Sequence, residues 1–144
     1  HTYEAVQECA IPCNQDRRLS VYFDQYQFTG GAHGTTRRIA RSWCAPLVRP
    51  LELRDFFPHN PQYMRYIQNE VIRQISRQLL NCNTAAYFEN YAELVPQMLN
   101  PCNFYMTPDS LAIYFRQYDI APYASGIPVF LIPYGEPGPV PPSC

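Results

Sequence analysis

The sequence predicts an α+β domain in which an antiparallel β-sheet has two helices packed on one face. The segment LSVYFDQYQF at 19–28 alternates apolar and polar residues, as a half-buried strand does. Gly30-Gly31 follows this segment and precedes a strand pattern at 35–43, which predicts a hairpin. Apolar residues then recur with helical spacing on one face, at Met64, Ile67, Val71, Ile75 and Leu79.

The chain before the first clear strand carries weaker signals. Residues 3–8 predict a short strand, and residues 9–18 predict a loop because Pro12 lies in a polar stretch. Within 19–28 the apolar parity shifts near Asp24, which predicts a β-bulge at Asp24 or Gln25.

Two helices are predicted in the middle of the chain. Asn60 is a suitable N-cap and Pro61 a suitable first residue for a helix over 61–80. Its polar stripe, which we expect to be solvated, consists of Arg65, Asn69, Arg73 and Arg77. A second helix is predicted over 85–99, shortened or strained by Pro96. We expect its buried side to consist of Phe88, Tyr91, Ala92 and Val95.

The last third of the chain returns to strands. Strands are predicted at 104–106, 111–118 and 128–133. We therefore assign residues 1–134 to a single domain and residues 135–144 to a proline-rich tail.

One internal similarity bears on the topology. LSVYFDQYQF at 19–28 matches LAIYFRQYDI at 111–120 in register. Two strands with the same pattern can present the same side chains to one core, although chance similarity remains the alternative. We predict that both strands lie in one antiparallel sheet. The side chains expected to face the first helix are Leu19, Val21, Leu111, Ile113 and Phe115.

The bulk composition excludes several classes of function. The net charge is −1, so the chain lacks the basic footprint of a nucleic-acid-binding protein. All 11 basic residues are arginine, which excludes Schiff-base chemistry and the lysine of a phosphate-binding loop. No apolar run of about 18 residues is present, so no segment is predicted to span a membrane.

Six cysteines indicate disulfides and an oxidising compartment, at the cell surface or outside the cell. The alternative is a set of buried free thiols in a reducing compartment. The pairs we predict, among 15 possible pairings, are Cys9–Cys13, Cys44–Cys144 and Cys82–Cys102.

Two short segments contain the candidate ligand-binding residues. In GGAHG, Gly30 and Gly31 allow a tight bend, and His33 could act as an acid, a base or a ligand. The structural alternative, which we favour, is that His33 locks this bend by hydrogen bonds to buried partners. In YDIAPYASGIP at 118–128, Tyr118 and Tyr123 could stack on a sugar or a partner protein, or could anchor the loop to the core.

Catalytic templates are absent from the sequence. There is no G-x-S-x-G elbow, no H-E-x-x-H motif and no phosphate loop, and the three histidines have no metal-ligand spacing. We therefore expect a non-enzyme without a cofactor or metal. The alternative is a small cell-wall hydrolase that uses His33 and a carboxylate, with Asp119 as the first candidate and Asp24 and Glu136 as others.

Three strings resemble a known family of bacterial domains. They are TGGAHGTTRR at 29–38, LELRDFF at 51–57 and FYMTPDSLAIYFRQYDIAPYASGIPVFLIPY at 104–134. They are similar to the RsiV-like extracytoplasmic domain, a domain of unknown function shared by a lysozyme-sensing anti-sigma factor and by peptidoglycan deacetylases. The resemblance implies an α+β, non-catalytic domain that binds a ligand outside the cell. That ligand would be a protein, for which lysozyme is a candidate, or a component of the cell wall.

Overall fold

The computed structural model describes residues 2–45, 48–82 and 84–144, and these form two antiparallel sheets and two helices. The first sheet has the order β1 (Glu4–Gln15), β2 (Arg18–Phe28), β3 (Thr35–Cys44), β4 (Arg49–Pro50). The second has the order β5 (Phe104–Met106), β6 (Ser110–Tyr114), β7 (Val129–Pro133). The helices are α1 (Tyr63–Asn81) and α2 (Tyr91–Met98). The predicted α+β class is confirmed.

The β1–β2 hairpin is longer than predicted. The chain turns at Asp16 and Arg17, whose φ angles are 53° and 63°. Positive φ at both turn residues matches the twist of a two-residue hairpin. The predicted loop over 9–18 is therefore wrong: Pro12 is accommodated because β1 is an edge strand, where a missing backbone N–H breaks no ladder.

The predicted bulge is also misplaced. The register of β2 against β3 is continuous past Asp24 and Gln25. The irregularity lies on β1 instead, where the register against β2 shifts between Ala10 and Cys13. Pro12 lies inside this bulge, so the proline and the extra residue are absorbed at one place.

The predicted hairpin between β2 and β3 is confirmed. Gly30 and Gly31 have φ angles of 98° and 100°, which side chains rarely allow. A Cβ atom on Gly34 would collide with the ring of Tyr26, so this glycine makes room for an aromatic side chain at the start of β3.

The prediction that residues 19–28 and 111–118 share one sheet is wrong. β2 pairs with β1 and β3, whereas β6 pairs with β5 and β7, so neither strand has a free edge left for the other. Leu111, Ile113 and Phe115 are fully buried in the main core, as expected. Leu19 and Val21 are only half-buried and lie outside that core.

The two sheets meet through β5 and one face of β6. The buried hydroxyls of Ser20 and Ser42 share a hydrogen bond of 2.6 Å, and the backbone N–H of Met106 donates to Ser20 Oγ at 2.8 Å. A second buried cluster lies at this junction, formed by Ala40, Tyr105, Ala112 and Tyr114. The opposite face of the second sheet forms the main core with the helices.

The first helix largely follows its pattern. Ile67, Val71 and Ile75 are fully buried, and the predicted polar stripe is exposed. The helix begins at Tyr63 rather than Pro61, because the Asn60 side chain accepts the backbone N–H of Gln62 at 2.9 Å in a turn before the helix. Met64 is half-buried, and Leu79 lies near the solvent-exposed end of the helix and is largely exposed.

The second helix is much shorter than predicted. The residues at 84–90 that precede it are held against the chain after β6, because the backbone N–H of Phe88 donates to the carbonyl of Ile120 at 3.0 Å. Val95 is fully buried, but Ala92, expected on the buried side, is exposed. No described helix is long and apolar enough to cross a bilayer.

Cys44 and Cys144 form a disulfide with a Cα–Cα distance of 5.2 Å, as predicted. This bond fastens the proline-rich tail to β3. The tail is held further by the backbone N–H of Val140, which donates to the carbonyl of Phe56 at 2.8 Å, and by Arg18, which donates to the carbonyl of Pro142 at 3.3 Å.

The other two predicted disulfides are wrong, and their four cysteines are free thiols. Cys9 and Cys13 lie on the same extended strand, where four residues span about 13 Å, roughly twice what a disulfide allows. Cys82 and Cys102 were expected to bridge the ends of one long helix. Because α2 covers only 91–98, these cysteines do not lie at its ends.

Candidate functional site

A groove of about 830 Å³ lies between β3 and the chain that follows β6. One wall is formed by residues 35–41 of β3, and the other by Tyr114, residues 116–119 and Tyr123. Asn100, Cys102 and Asn103 close one end. The groove exists because β4 pairs only with Trp43 and Cys44, which leaves most of the outer edge of β3 without a neighbouring strand.

An aromatic stack lies beside this groove. Tyr118 stacks on Tyr123 with ring centroids 4.7 Å apart, and Tyr123 stacks on His33 at 5.4 Å. Phe88 contacts Tyr118 edge-on at 5.2 Å. The loop after β6 and the β2–β3 hairpin therefore meet at these rings. Three of the five predicted ligand-binding residues come together here.

The backbone at the stack is unusual. Tyr118 has a φ angle of 70°, a conformation that costs free energy for any residue with a side chain. The residue is nevertheless 55% exposed. Gly30 and Gly31, also predicted for the site, shape the bend before His33 and have no side chain to offer.

His33 does not play the structural part that was predicted for it. It is exposed and makes no hydrogen bond among the described residues, so it cannot lock the bend through a buried partner. The positive φ angles of Gly30 and Gly31 form the bend without it. Its described contact is the face-to-face stack on Tyr123.

The carboxylates proposed as partners of His33 are engaged elsewhere or lie in the tail. Asp119 accepts from Arg116 at 3.2 Å, and Asp24 is bound by Arg38. Glu136 is exposed in the tail. Within the described ranges, no three His, Cys, Asp or Glu side chains are grouped as a metal site would require.

Arg38 is the best-anchored charge of the groove wall. Its guanidinium binds both oxygens of Asp24, at 2.7 and 2.8 Å, and lies over the Tyr22 ring at 4.1 Å from the centroid. Burial lowers the pKa of Arg38, but the hydrogen bond and charge of Asp24 raise it by more, so that the net shift is upward. Arg38 is therefore a fixed cation.

The free edge of β3 is closed by side chains. The Gln117 side chain accepts the N–H of Thr36 at 2.8 Å, and the N–H of Leu51 donates to the carbonyl of Ser42 at 2.8 Å. These bonds show that the backbone groups of Thr36 and Ser42 point outward from the sheet. Outward groups alternate along a strand, so those of Arg38 and Ala40 point the same way.

These two residues are also covered. The Tyr114 hydroxyl donates to the carbonyl of Arg38 at 3.4 Å, and Arg41 donates to the carbonyl of Ala40 at 2.8 Å. Burial raises the pKa of Tyr114 to about 12, so this hydroxyl keeps its proton at neutral pH. Side chains thus occupy one outward backbone group on each of Thr36, Arg38 and Ala40, where an added strand would bind.

Sequence reasoning missed most of the polar lining. The missed residues are Arg37, Arg38, Arg41, Asn100, Asn103, Arg116 and Gln117. The string TTRRIAR at 35–41, with three arginines on one strand, is a local signal for the basic wall. The segment at 118–128 indicated Tyr118 and Tyr123 on the opposite wall, but no local pattern indicates that the two walls face each other, because they are far apart in the chain.

The chain belongs to the DUF3298 family, described as proteins of unknown function, whose model matches residues 54–135. Residues 1–36 match a second model, Deacetylase PdaC. The first match covers both helices and the second sheet, and the second covers the β1–β2 hairpin. Residues 37–53 lie in neither match, so the β3 wall of the groove is mostly outside both matched regions, whereas the opposite wall lies within the first. No curated protein matches the chain.

Two solved structures have the same fold. A DUF3298 family protein from Pseudomonas aeruginosa matches with a TM-score of 0.70 and 22% identity, over 98% of this chain and 63% of that one. A DUF3298 member from Bacteroides fragilis matches with a TM-score of 0.65 and 24% identity, over 92% of this chain and 52% of that one. The chain thus spans between half and two thirds of these structures. The narrower resemblance to a lysozyme-sensing anti-sigma factor stays a prediction.

Proposed function

We propose that this chain is a non-catalytic recognition domain that works outside the cell and holds a protein or a cell-wall ligand in the groove beside the aromatic stack. Lysozyme is one candidate for a protein ligand. The observation that carries the proposal is Tyr118, a half-exposed ring held in a strained backbone conformation at the side of a polar groove. Tyrosine is among the residue types enriched at the hot spots that dominate binding energy.

The surroundings of Tyr118 support a preorganised binding surface. Tyr123 and Phe88 fix the ring on two sides, so little rotamer freedom would be lost when a ligand contacts it. The guanidinium and amide groups along β3 and the opposite wall add hydrogen-bond donors. A small number of fixed polar groups beside aromatic surface is typical of ligand sites.

The proposal of a non-catalytic domain rests on the contacts that already engage the candidate acid and base side chains. A general base must reach its substrate with a free lone pair, and a general acid must reach it with a proton that can move. The Asp119 carboxylate is held by Arg116, and His33 is stacked on Tyr123 without a hydrogen-bonded carboxylate among the described residues. These contacts favour binding over proton transfer.

An extracellular location is supported by two independent observations. A disulfide joins β3 to the chain terminus, and disulfides persist in oxidising compartments. The N-terminal residues match the Deacetylase PdaC model.

A pull-down with insoluble peptidoglycan and with immobilised lysozyme tests this function. We expect the chain to be retained by at least one of them, and Tyr118→Ala to weaken retention by about tenfold or more. Tyr3→Ala is the matched control, because Tyr3 is also a largely exposed tyrosine but lies at the start of β1. Retention on neither support, or equal retention of both variants, would contradict the proposal. Release of soluble sugars from the peptidoglycan would indicate a hydrolase instead.

A further inference from the structure

We infer that the groove recognises a glycan that carries carboxylate groups. This inference rests on the proposed binding function and names the chemistry of the ligand. Four arginines are among the residues that line the groove, Arg37, Arg38, Arg41 and Arg116, against one acidic residue, Asp119. Guanidinium groups bind carboxylates in a bidentate geometry that ammonium groups cannot reproduce.

Two of these charges are uncompensated. Arg38 is paired with Asp24 and Arg116 with Asp119. Arg37 and Arg41 are exposed and have no carboxylate within 4.0 Å among the described residues. They lie four positions apart on the same face of β3, about 13 Å along the strand. An extended ligand with more than one negative charge would fit this spacing.

The closed edge of β3 argues against a peptide strand as the ligand. A peptide that adds to a sheet edge binds through outward backbone groups. Gln117 already accepts the N–H of Thr36, and Tyr114 and Arg41 already donate to the carbonyls of Arg38 and Ala40, so one outward group on each residue is taken. The chemistry left open in the groove is therefore that of side chains rather than of the backbone.

The open side-chain groups suit a sugar. The side-chain amides of Asn100 and Gln117 each accept one backbone N–H, from Cys102 and Thr36, while their own NH₂ groups donate to no described residue. Such groups can donate to hydroxyl or acetamido oxygens. Beside them, the stack of Tyr118, Tyr123 and His33 offers apolar ring surface for the C–H faces of a sugar. The combination of ring surface, amides and guanidinium groups favours an acidic glycan.

The test compares two soluble glycans by isothermal titration calorimetry on the whole chain at low salt. One is a peptide-free tetrasaccharide of alternating N-acetylglucosamine and N-acetylmuramic acid, which carries carboxylates. The other is chitotetraose, which has the same length and no charge. We expect the acidic glycan to bind about tenfold more tightly, as one charge-assisted contact allows. Added salt should weaken only the acidic glycan.

A double variant tests the assignment to the groove. Arg37→Gln/Arg41→Gln should reduce affinity for the acidic glycan to that for chitotetraose and should leave chitotetraose binding unchanged. The control, Arg73→Gln/Arg77→Gln, removes two exposed guanidinium groups from α1 and should bind both glycans as the parent does. Both double variants are expected to fold, because all four side chains are exposed; thermal melts confirm this.

The outcomes separate this inference from the proposed function. Equal affinity of the parent chain for the two glycans, or undiminished acidic-glycan binding by Arg37→Gln/Arg41→Gln, would overturn the inference. Binding of lysozyme with no binding of either glycan would overturn it too, while leaving a recognition domain for proteins. The proposed function itself is contradicted by the pull-down, if neither peptidoglycan nor lysozyme retains the chain or if Tyr118→Ala and Tyr3→Ala are retained equally.

Discussion

Arg38 connects the two sheets through a single side chain. Its guanidinium binds Asp24 on β2 and lies among three tyrosine rings, closest to Tyr22 at 4.1 Å and then to Tyr114 and Tyr105 at 5.8 and 5.9 Å. An arginine in such a position contributes ion pairing and cation–π attraction together. The same side chain shapes one wall of the groove.

Replacing Arg38 tests this junction. Arg38→Met keeps much of the apolar stem and removes the charge, which leaves Asp24 without its partner. We expect the free energy of unfolding to fall by about 1–3 kcal/mol, as for loss of a partly buried charged hydrogen bond. Urea unfolding measures this. Arg73→Met is the control: it breaks an equally short ion pair, to Glu70, on the exposed face of α1, and it should change the midpoint little.

The hydroxyl of Tyr114 makes the free energy of unfolding depend on pH in the alkaline range. Burial raises the pKa of Tyr114 to about 12, against about 10 in an unfolded chain. The folded state holds this proton more tightly, so its contribution to stability is complete below pH ~10 and is lost as the pH rises to ~12. Burial shifts the pKa values of Tyr105 and Tyr134 upward as well.

We therefore expect the free energy of unfolding to decrease between pH ~10 and pH ~12. Tyr114→Phe should make this decrease smaller without abolishing it, because the other two tyrosines still titrate. Urea titrations across that range measure the slope. A slope that is the same with and without the hydroxyl would mean that Tyr114 titrates normally in the folded chain.

Single residues were the hardest features to derive from the sequence. The GGAHG string correctly indicates a bend, because the conformational freedom of Gly30 and Gly31 is local chemistry. The surroundings of His33 are not local: whether it is buried depends on Tyr123, which lies 90 positions further along. The corrected expectation is that His33→Ala changes the thermal midpoint little, since an exposed ring leaves no buried partner behind.

At the scale of elements, β6 is the centre of the second sheet and of the core. Its five residues are all buried, and it is hydrogen-bonded on both sides, to β5 and to β7. Leu111 and Ile113 face the helices, while Ala112 and Tyr114 face the first sheet. A strand that is covered on both faces has little tolerance for a change in volume.

Truncating a side chain of β6 should therefore be costly. Ile113→Ala removes a fully buried side chain between the second sheet and the helices, and we expect a loss of about 2–5 kcal/mol in the free energy of unfolding. Leu131→Ala on β7 is the control, because this leucine is half exposed on the neighbouring strand. Chemical denaturation of the two variants gives the comparison. Similar losses for both would contradict the assigned faces.

The elements themselves were largely predictable, and their partners were not. Period-two alternation gave β2 and β3, and helical spacing gave the buried face of α1, because these patterns follow from burial of one side. The N-terminal half of β1 and the strands β5 to β7 were also predicted from the sequence. The split into two sheets depends on which edges are already paired, and the late start of α2 depends on a contact between Phe88 and Ile120. Neither is encoded in a local window.

At the scale of the whole molecule, one disulfide closes most of the chain into a loop. Cys44 and Cys144 are separated by 100 positions, and the bond joins the first sheet to the tail that packs on the core. Closing so long a loop lowers the conformational entropy of the unfolded chain, which adds about 4.7 kcal/mol to the free energy of unfolding in the chain-entropy model.

Removing this bond should destabilise the whole fold. For Cys44→Ser/Cys144→Ser, we expect the free energy of unfolding to fall by about 2–5 kcal/mol. Cys82→Ser/Cys102→Ser is the control and should leave stability nearly unchanged, because both thiols are free and exposed. Equal behaviour of the two double variants, or a Cys82–Cys102 bond found by mass spectrometry under non-reducing conditions, would contradict the disulfide assignment.

The central claim is that the groove between β3 and the loop after β6 binds a ligand without transforming it. The most direct measurement is an NMR titration of the whole chain with the acidic tetrasaccharide, with the sugar signals followed in the same sample. We predict that amide shifts concentrate at residues 35–41 and 116–123 and that the sugar spectrum stays unchanged over time. Shifts concentrated on the exposed stripe of α1, or new reducing-end signals from the sugar, would contradict the claim.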